Sequence, residues 1–298
     1  MGETTEKLLV GLIGSGIQKS LSPAMHEEEA RHHGLRLHYQ IIDLDRGGAG
    51  AQALPGLIAA ARTMGFAGLN ITFPCKQAVI PLLDGLSDEA QAIGAVNTVV
   101  FGAGGKLTGH NTDCSGWAAG FKRQLPSADL TRVVQLGAGG AGAAVAHAVL
   151  RLGAKHLVLV DREPERAGEL AAALNKRYGE GRASASTDIA SALNGGTNSP
   201  RELRATGLIH ATPTGMLKLP GMPLPEALLR ADLWVSEVVY VPLDTALLQA
   251  ARAKGCAVAH GGGMAVGQAI GAFEFFTGRQ ADPQRVEAHF RRLLGETR

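Results

Sequence analysis

The sequence predicts an α/β fold in two domains: an N-terminal α/β domain and a Rossmann-like, doubly wound parallel-sheet domain, with a cleft between them. Three observations carry this. The chain has 298 residues, enough for about two domains of ordinary size. Strand-like and helix-like segments alternate along most of it, as in parallel sheets flanked by helices. A glycine-rich turn, Gly137-Ala-Gly139-Gly-Ala-Gly142, joins a strand to a helix near mid-chain.

Residues 8–14 form an apolar run of buried-strand length. Ser22-Pro23 opens a helix that ends near Gly34, with Ser22 as N-cap and Pro23 at the first helical position. Residues 37–44 and 68–73 read as strands, and residues 51–64 as a helix that kinks or starts late at Pro55. Helices are expected at 76–83 and 88–93, the second capped by Ser87, then a strand at 95–101 and a turn at 102–105. Asn111-Thr112-Asp113 starts a helix running toward Leu125, and Pro126-Ser127 reads as a linker. Strands at 132–136, 156–160, 207–211, 233–239 and 256–259 follow, with helices in the gaps and a polar loop at 194–200. Residues 267–278 and 283–294 are helical, a tail that packs back on the first domain. The expected domains are therefore 1–116 with 264–298, and 117–263.

Composition narrows the function. There are 29 basic and 27 acidic residues, a net charge of +2, without the clustered Lys/Arg of a nucleic-acid surface. No run of 18 apolar residues predicts a membrane span. The N-terminal stretch is acidic and polar, unlike a signal peptide, so a cytoplasmic location is expected. Cys75, Cys114 and Cys256 form no CxxC pair, so neither a disulfide framework nor a zinc ribbon is expected. His26 precedes Glu27, Glu28 and Glu29 without a second histidine at metal-ligand spacing, and reads as part of an exposed acidic helix face. No metal is expected.

The residues Gly137, Ala138, Gly139, Gly140, Ala141 and Gly142 fit G-x-G-x-x-G, with a strand at 132–136 before and a small-residue helix at 143–152 after. A second strand ends at Asp161, 19 residues past Gly142. This is the context of a dinucleotide fingerprint, in which a pyrophosphate meets a helix N-terminus and the acidic residue accepts the ribose hydroxyls. Asp161 would repel a 2′-phosphate, so NAD is the expected cofactor. Arg162 and Arg166 leave NADP open.

Polar residues also stand at strand ends and helix starts in the first half, where α/β sheets form crevices. Ser-Leu-Ser-Pro at 20–23, Asn-Ile-Thr-Phe-Pro-Cys-Lys at 70–76, Gly-Ala-Val-Asn-Thr at 94–98 and Asn-Thr-Asp at 111–113 resemble the shikimate/quinate dehydrogenase family. So do Gly-Ala-Gly-Gly-Ala-Gly at 137–142, Ala-Thr-Pro-Thr-Gly-Met at 211–216, Val-Val-Tyr at 238–240 and Gly-Gln at 267–268. The stretches run in the family's order over nearly the whole chain.

The resemblance implies hydride transfer between a nicotinamide cofactor and the ring alcohol of shikimate or quinate. It implies Lys76 and Asp113 as the catalytic pair. Hydride leaves a carbinol carbon only as the hydroxyl proton is lost, which calls for a positioned acid/base. Which of the two moves the proton stays open. Ser20 and Ser22, helped by Tyr240, would hold the carboxylate; Thr72, Asn97 and Gln268 would bind ring hydroxyls. Thr212, Met216, Val239, Gly263 and Met264 would lie near the nicotinamide.

Three residues depart from the family pattern: His210 for Asn, Glu237 for Asp, and His260 for the Asp of Asp-Gly-x-x-Met. His210 and His260 read as core or strand-end histidines. Cys75 and Cys114 read as small space-filling side chains. A Ser-x-Ser pair resembles shikimate-binding members, whereas Asp161 resembles NAD-using quinate/shikimate members. The competing readings are a dehydrogenase of a related ring acid such as an amino-shikimate, a folate-type dehydrogenase, and a non-catalytic NAD/ring-acid binding protein. The expected assembly is a monomer or homodimer.

Overall fold

The computed structural model describes residues 6–46, 48, 50–195 and 204–295. In chain order the elements are β1 (Lys7–Gly14), α1 (Ser22–His32), β2 (Arg36–Asp43), α2 (Leu54–Thr63), β3 (Gly68–Ile71), β4 (Gly85–Leu86), α3 (Asp88–Ile93), β5 (Thr98–Phe101), β6 (Leu107–His110) and α4 (Thr112–Gln124). Then come β7 (Arg132–Leu136), α5 (Gly140–Arg151), β8 (His156–Val160), α6 (Pro164–Tyr178), β9 (Ala183–Ser186), α7 (Ile189–Asn194), β10 (Gly207–His210), β11 (Trp234–Glu237), α8 (Ala246–Ala253), β12 (Val258–Ala259), α9 (Gly262–Thr277) and α10 (Pro283–Leu293). They fall into two units, Met1–Thr112 with Val266–Arg298, and Asp113–Ala265. The division runs through α4 and α9.

The first unit holds a mixed sheet in the order β2-β1-β3-β5-β6-β4. β1 pairs in parallel with β2 and β3, while β5 runs antiparallel to β3 and β6. One face buries Ile13, Leu54, Ile58, Leu69, Val96 and Val99. The other buries Val10, Leu12 and Tyr39 under Ala272 and Phe276 of α9. Phe276 lies directly on β3: a Cβ at Gly68 would come within 2.2 Å of its ring. The second unit is an all-parallel sheet, β12-β11-β10-β7-β8-β9. Its strands are buried apolar runs (Arg132–Leu136, His156–Val160) covered by helices, as parallel sheets require. The order reverses at β7, so the carboxyl ends of β7 and β10 form the switch point where ligands of doubly wound sheets sit.

Several elements differ from expectation. Residues 76–83 contain only a 3₁₀ turn, Ile80–Leu82, because Pro81 removes a helical donor. The connection from β10 to β11 holds a 3₁₀ turn, Glu226–Leu228, and no α-helix; Pro213, Pro220, Pro223 and Pro225 forbid one. β4, β6 and β9 escape the sequence reading because they are short and built of small or polar residues. Leu21, not Ser22, is the N-cap residue of α1: Ser22 is already helical, and its N–H reaches the Ser20 hydroxyl at 3.2 Å. The helix after the glycine turn starts at Gly140, three residues earlier than expected. Most of the expected polar loop, residues 196–200, lies outside the described residues.

The acidic face of α1 is also not simply exposed. His26 and Glu29 are 1% and 2% exposed. The α10 residue Arg285 donates to both Glu29 carboxylate oxygens, at 2.6 and 2.7 Å, and the Asp282 N–H adds a third bond. Burial opposes the Glu29 charge, but these donors hold its carboxyl below the usual range.

His26 has no hydrogen-bond partner on either ring nitrogen among the described residues and packs against Tyr39, Phe273 and Phe276. Burial lowers its pKa to about 3, from an ordinary 6.5. The ring is therefore neutral when folded and free to take a proton when unfolded. Stability is intact above pH 6.5 and declines as pH falls toward 3. His26→Leu should remove that share. Urea unfolding across this range should shift in the variant's favour by about 1.4 kcal/mol per pH unit below 6.5. A gap that does not change with pH would exonerate His26.

Candidate active site

In the first unit the motif residues converge on a buried amide, Asn97. Its Oδ1 accepts the Thr112 N–H at 2.8 Å and the Thr98 hydroxyl at 3.0 Å, and its Nδ2 donates to the Thr112 hydroxyl at 2.9 Å. A backbone N–H can only donate, so the amide orientation is fixed. Asn70 lies behind it, donating to the Asn97 carbonyl and to the Thr98 hydroxyl, and accepting from the Tyr39 phenol at 2.7 Å. The Asn111 amide donates to the Ala95 carbonyl. This network sets the entry to α4, whose first turn carries Asp113.

Thr72 and Lys76 bracket the turn after β3. The Thr72 carbonyl accepts the Cys75 N–H and the Lys76 carbonyl accepts the Val96 N–H, both at 2.8 Å. Lys76 is half-buried. Ser20 and Ser22 stand together at the entry to α1. Gln268, half-buried, lies on α9. Phe73, between Thr72 and Lys76, is among the most exposed apolar side chains described.

In the second unit the glycine turn is closed from below by Gln135. This side chain is fully buried in β7 and donates to the carbonyls of Gly137 and Gly142, each at 2.8 Å. Gly137 has φ +100°, open to glycine. A Cβ on Gly142 would lie 2.3 Å from the Gly137 carbonyl oxygen, whereas one on Gly139 would meet open space. The turn thus offers clear access to the N-terminus of α5, the end that favours anions. Gly140 and Ala141 form the first turn of that helix. Asp161 ends β8 and accepts the Ala138 N–H at 2.7 Å and the Glu163 N–H at 2.9 Å. Arg166 does not reach Asp161; it pairs with Glu163 at 2.8 Å.

Thr212 comes up against the glycine turn. A Cβ on Gly137 would lie 2.6 Å from the Ala211 oxygen and 3.1 Å from the Thr212 methyl. Met216 is exposed, next to exposed Leu217 and Leu219, whereas Val239 and Met264 are buried. Gly263 meets Gly120 where α9 crosses α4, with room there for no side chain. Tyr240 is near Asp113. Burial, joined by the Asp113 carboxylate, pushes its phenol above the ordinary range, so it stays a proton-bearing donor. The sequence reading gave Gln135 no role; a polar residue inside Val-Val-Gln-Leu just before the turn is the signal.

Residues 12–99 match the family model described as the shikimate dehydrogenase substrate binding domain. The chain is 58% identical, over 98% of each sequence, to the shikimate dehydrogenase (NADP(+)) of Streptomyces avermitilis. The chain belongs to the shikimate dehydrogenase family. Within it, the quinate/shikimate dehydrogenase (NAD(+)) of Corynebacterium efficiens is 43% identical, covering 96% of this chain and 98% of that one. The quinate dehydrogenase of Corynebacterium glutamicum in complex with NAD superposes with a TM-score of 0.88 at 43% identity, covering 96% of this family member and 99% of that chain.

Two glycine substitutions separate shape from access in the turn. Gly142→Ala, with its Cβ 2.3 Å from a carbonyl oxygen, should lower the unfolding temperature and weaken dinucleotide binding. Gly139→Ala should leave unfolding unchanged yet weaken NADH binding about tenfold, read by fluorescence titration. Parental NADH affinity in Gly139→Ala would mean that the pyrophosphate does not sit on this turn.

Proposed function

We propose that this protein is an NAD-dependent dehydrogenase that interconverts shikimate and 3-dehydroshikimate, quinate and 3-dehydroquinate, or both pairs. The observation that carries the reaction class is full-length similarity to shikimate and quinate/shikimate dehydrogenases, with the Lys76 and Asp113 motifs both present. The residues at the switch point of the second sheet fit a dinucleotide: an open Gly139, the N-terminus of α5, and Asp161 at the end of β8. The nicotinamide ring of the bound cofactor would supply the hydride acceptor or donor.

The chain's own residues do the rest. Ser20 and Ser22 present hydroxyls to the substrate carboxylate, with Tyr240 as a further donor. Thr72, Asn97 and Gln268 take ring hydroxyls. Asn97 keeps one Nδ2 hydrogen for this, since Oδ1 is filled by Thr112 and Thr98. Lys76 holds a proton at Nζ and gives it to the developing alkoxide during reduction, while Asp113 positions the ammonium and stabilises its charge. In the oxidation direction the same groups take that proton back.

Asp161 supports NAD. Each of its oxygens accepts one backbone N–H and has a lone pair left for a ribose hydroxyl, and its charge repels a 2′-phosphate. NADP is the second reading, favoured by the Streptomyces avermitilis relative and by exposed Arg162. The buried thiols of Cys75, Cys114 and Cys256, none of them in a disulfide, suit the cytoplasm. The protein would act there as a monomer or homodimer.

Initial rates with shikimate and quinate, each against NAD and NADP, test the reading. Lys76→Ala should cut kcat by about 10²- to 10⁴-fold with KM for the dinucleotide nearly unchanged. Asp161→Asn should raise the NADP-to-NAD ratio of kcat/KM by about tenfold. Turnover with NADP alone in the parent would replace NAD by NADP; no turnover on either acid would move the substrate to another ring acid.

A further inference from the structure

Two of the three positions where this chain departs from the family pattern, His210 and Glu237, touch each other. They end neighbouring strands β10 and β11, paired in register, and both are fully buried. The Glu237 carboxylate accepts the N–H groups of Val238 and Val239 at 2.8 and 2.9 Å and the Thr245 hydroxyl at 3.0 Å. His210 Nδ1 lies 2.8 and 3.0 Å from its two oxygens. A carboxylate surrounded by donors is itself the acceptor, so Nδ1 carries the hydrogen. In the neutral ring Nε2 is then an acceptor, and it faces the Thr212 hydroxyl at 2.5 Å. With the ring neutral, Thr212 gives its proton to His210, and its oxygen accepts the Thr214 N–H at 3.3 Å.

That assignment leaves the Thr212 hydroxyl with no proton to offer and one lone pair free. We infer that His210, held by Glu237, is a positioning residue that fixes Thr212 as a hydrogen-bond acceptor, so that this point of the switch-point crevice selects a ligand group bearing N–H. The group is the carboxamide of the nicotinamide ring. This rests on the proposed reading of Thr212 as a cofactor neighbour, which its packing against Gly137 of the glycine turn supports. An amide in place of His210 would keep the same polarity, with its N–H₂ toward Glu237 and its oxygen toward Thr212.

The test compares equilibrium binding of NAD with that of its 3-acetylpyridine analogue, which lacks the amide N–H₂. The parent should prefer NAD. Thr212→Val, and His210→Leu, should each reduce that preference about three- to tenfold, the value of one hydrogen bond. Thr212→Ser and His210→Gln should restore it. Combining His210→Leu with Thr212→Val should add nothing to Thr212→Val alone. A loss in Thr212→Val without one in His210→Leu would overturn the relay while leaving Thr212 beside the cofactor. Unchanged preference in Thr212→Val, a substitution outside the buried pair, would overturn both. If His210→Leu does not fold, loss of preference in His210→Gln would overturn the proposal.

Discussion

Much of the first unit hangs on one hydrogen bond, from the Thr112 N–H to the Asn97 side-chain oxygen. The N–H is one of the orphan donors at a helix start, buried where water cannot serve it. Leaving such a donor unpaired costs about 1–3 kcal/mol. Turning the Asn97 amide over would orphan it and would also set an N–H₂ against the Thr98 hydroxyl. The amide is locked in turn by Asn70, which is locked by the Tyr39 phenol. A polar ladder thus crosses the apolar core from β2 to α4 and fixes the residue that follows Thr112, Asp113. The Asn97 acceptor thereby builds the helix entry.

The second unit uses the same economy. Gln135 spans two carbonyls of the glycine turn, and Asp161 holds the Ala138 N–H. The turn is drawn tight by side chains from two adjacent strands before any ligand arrives. Preorganisation of this kind lowers the ordering cost of binding. Asp161 holds the turn with one bond to each oxygen, which leaves lone pairs for the recognition role proposed above.

The parallel second unit was the more legible in the sequence. Its strands are continuous apolar runs set between turns, and all five expected ones begin and end within two residues of the expected positions. The last of them, expected at 256–259, begins two residues later. β9 was invisible because Ala-Ser-Ala-Ser has no hydrophobic pattern; it is held at the sheet edge by pairing with β8. In the first unit β6 was hidden the same way, so the sequence left open whether that sheet is mixed or parallel. The motifs pointed to candidate residues but not to how they are held. Nothing in the sequence says that Asn97 caps α4, that Gln135 closes the glycine turn, or that His210 and Glu237 face each other, because each depends on strand register between distant segments.

The first unit is discontinuous, and that has a consequence for how the chain is made. Ala272 and Phe276 complete the core over Val10, Leu12 and Tyr39, and Arg285 neutralises Glu29 across 256 positions of sequence. During synthesis, the second unit emerges whole while the first lacks its lid. Until α9 and α10 leave the ribosome, Gly68 has no aromatic ring above it and Glu29 has no guanidinium partner. The second unit, a contiguous segment of the chain, can fold as it emerges, while the first must wait with an apolar sheet face and a buried-site carboxylate uncovered. The last tenth of the sequence therefore acts as a checkpoint: a chain cut short there keeps its glycine turn intact and loses the platform that carries Lys76.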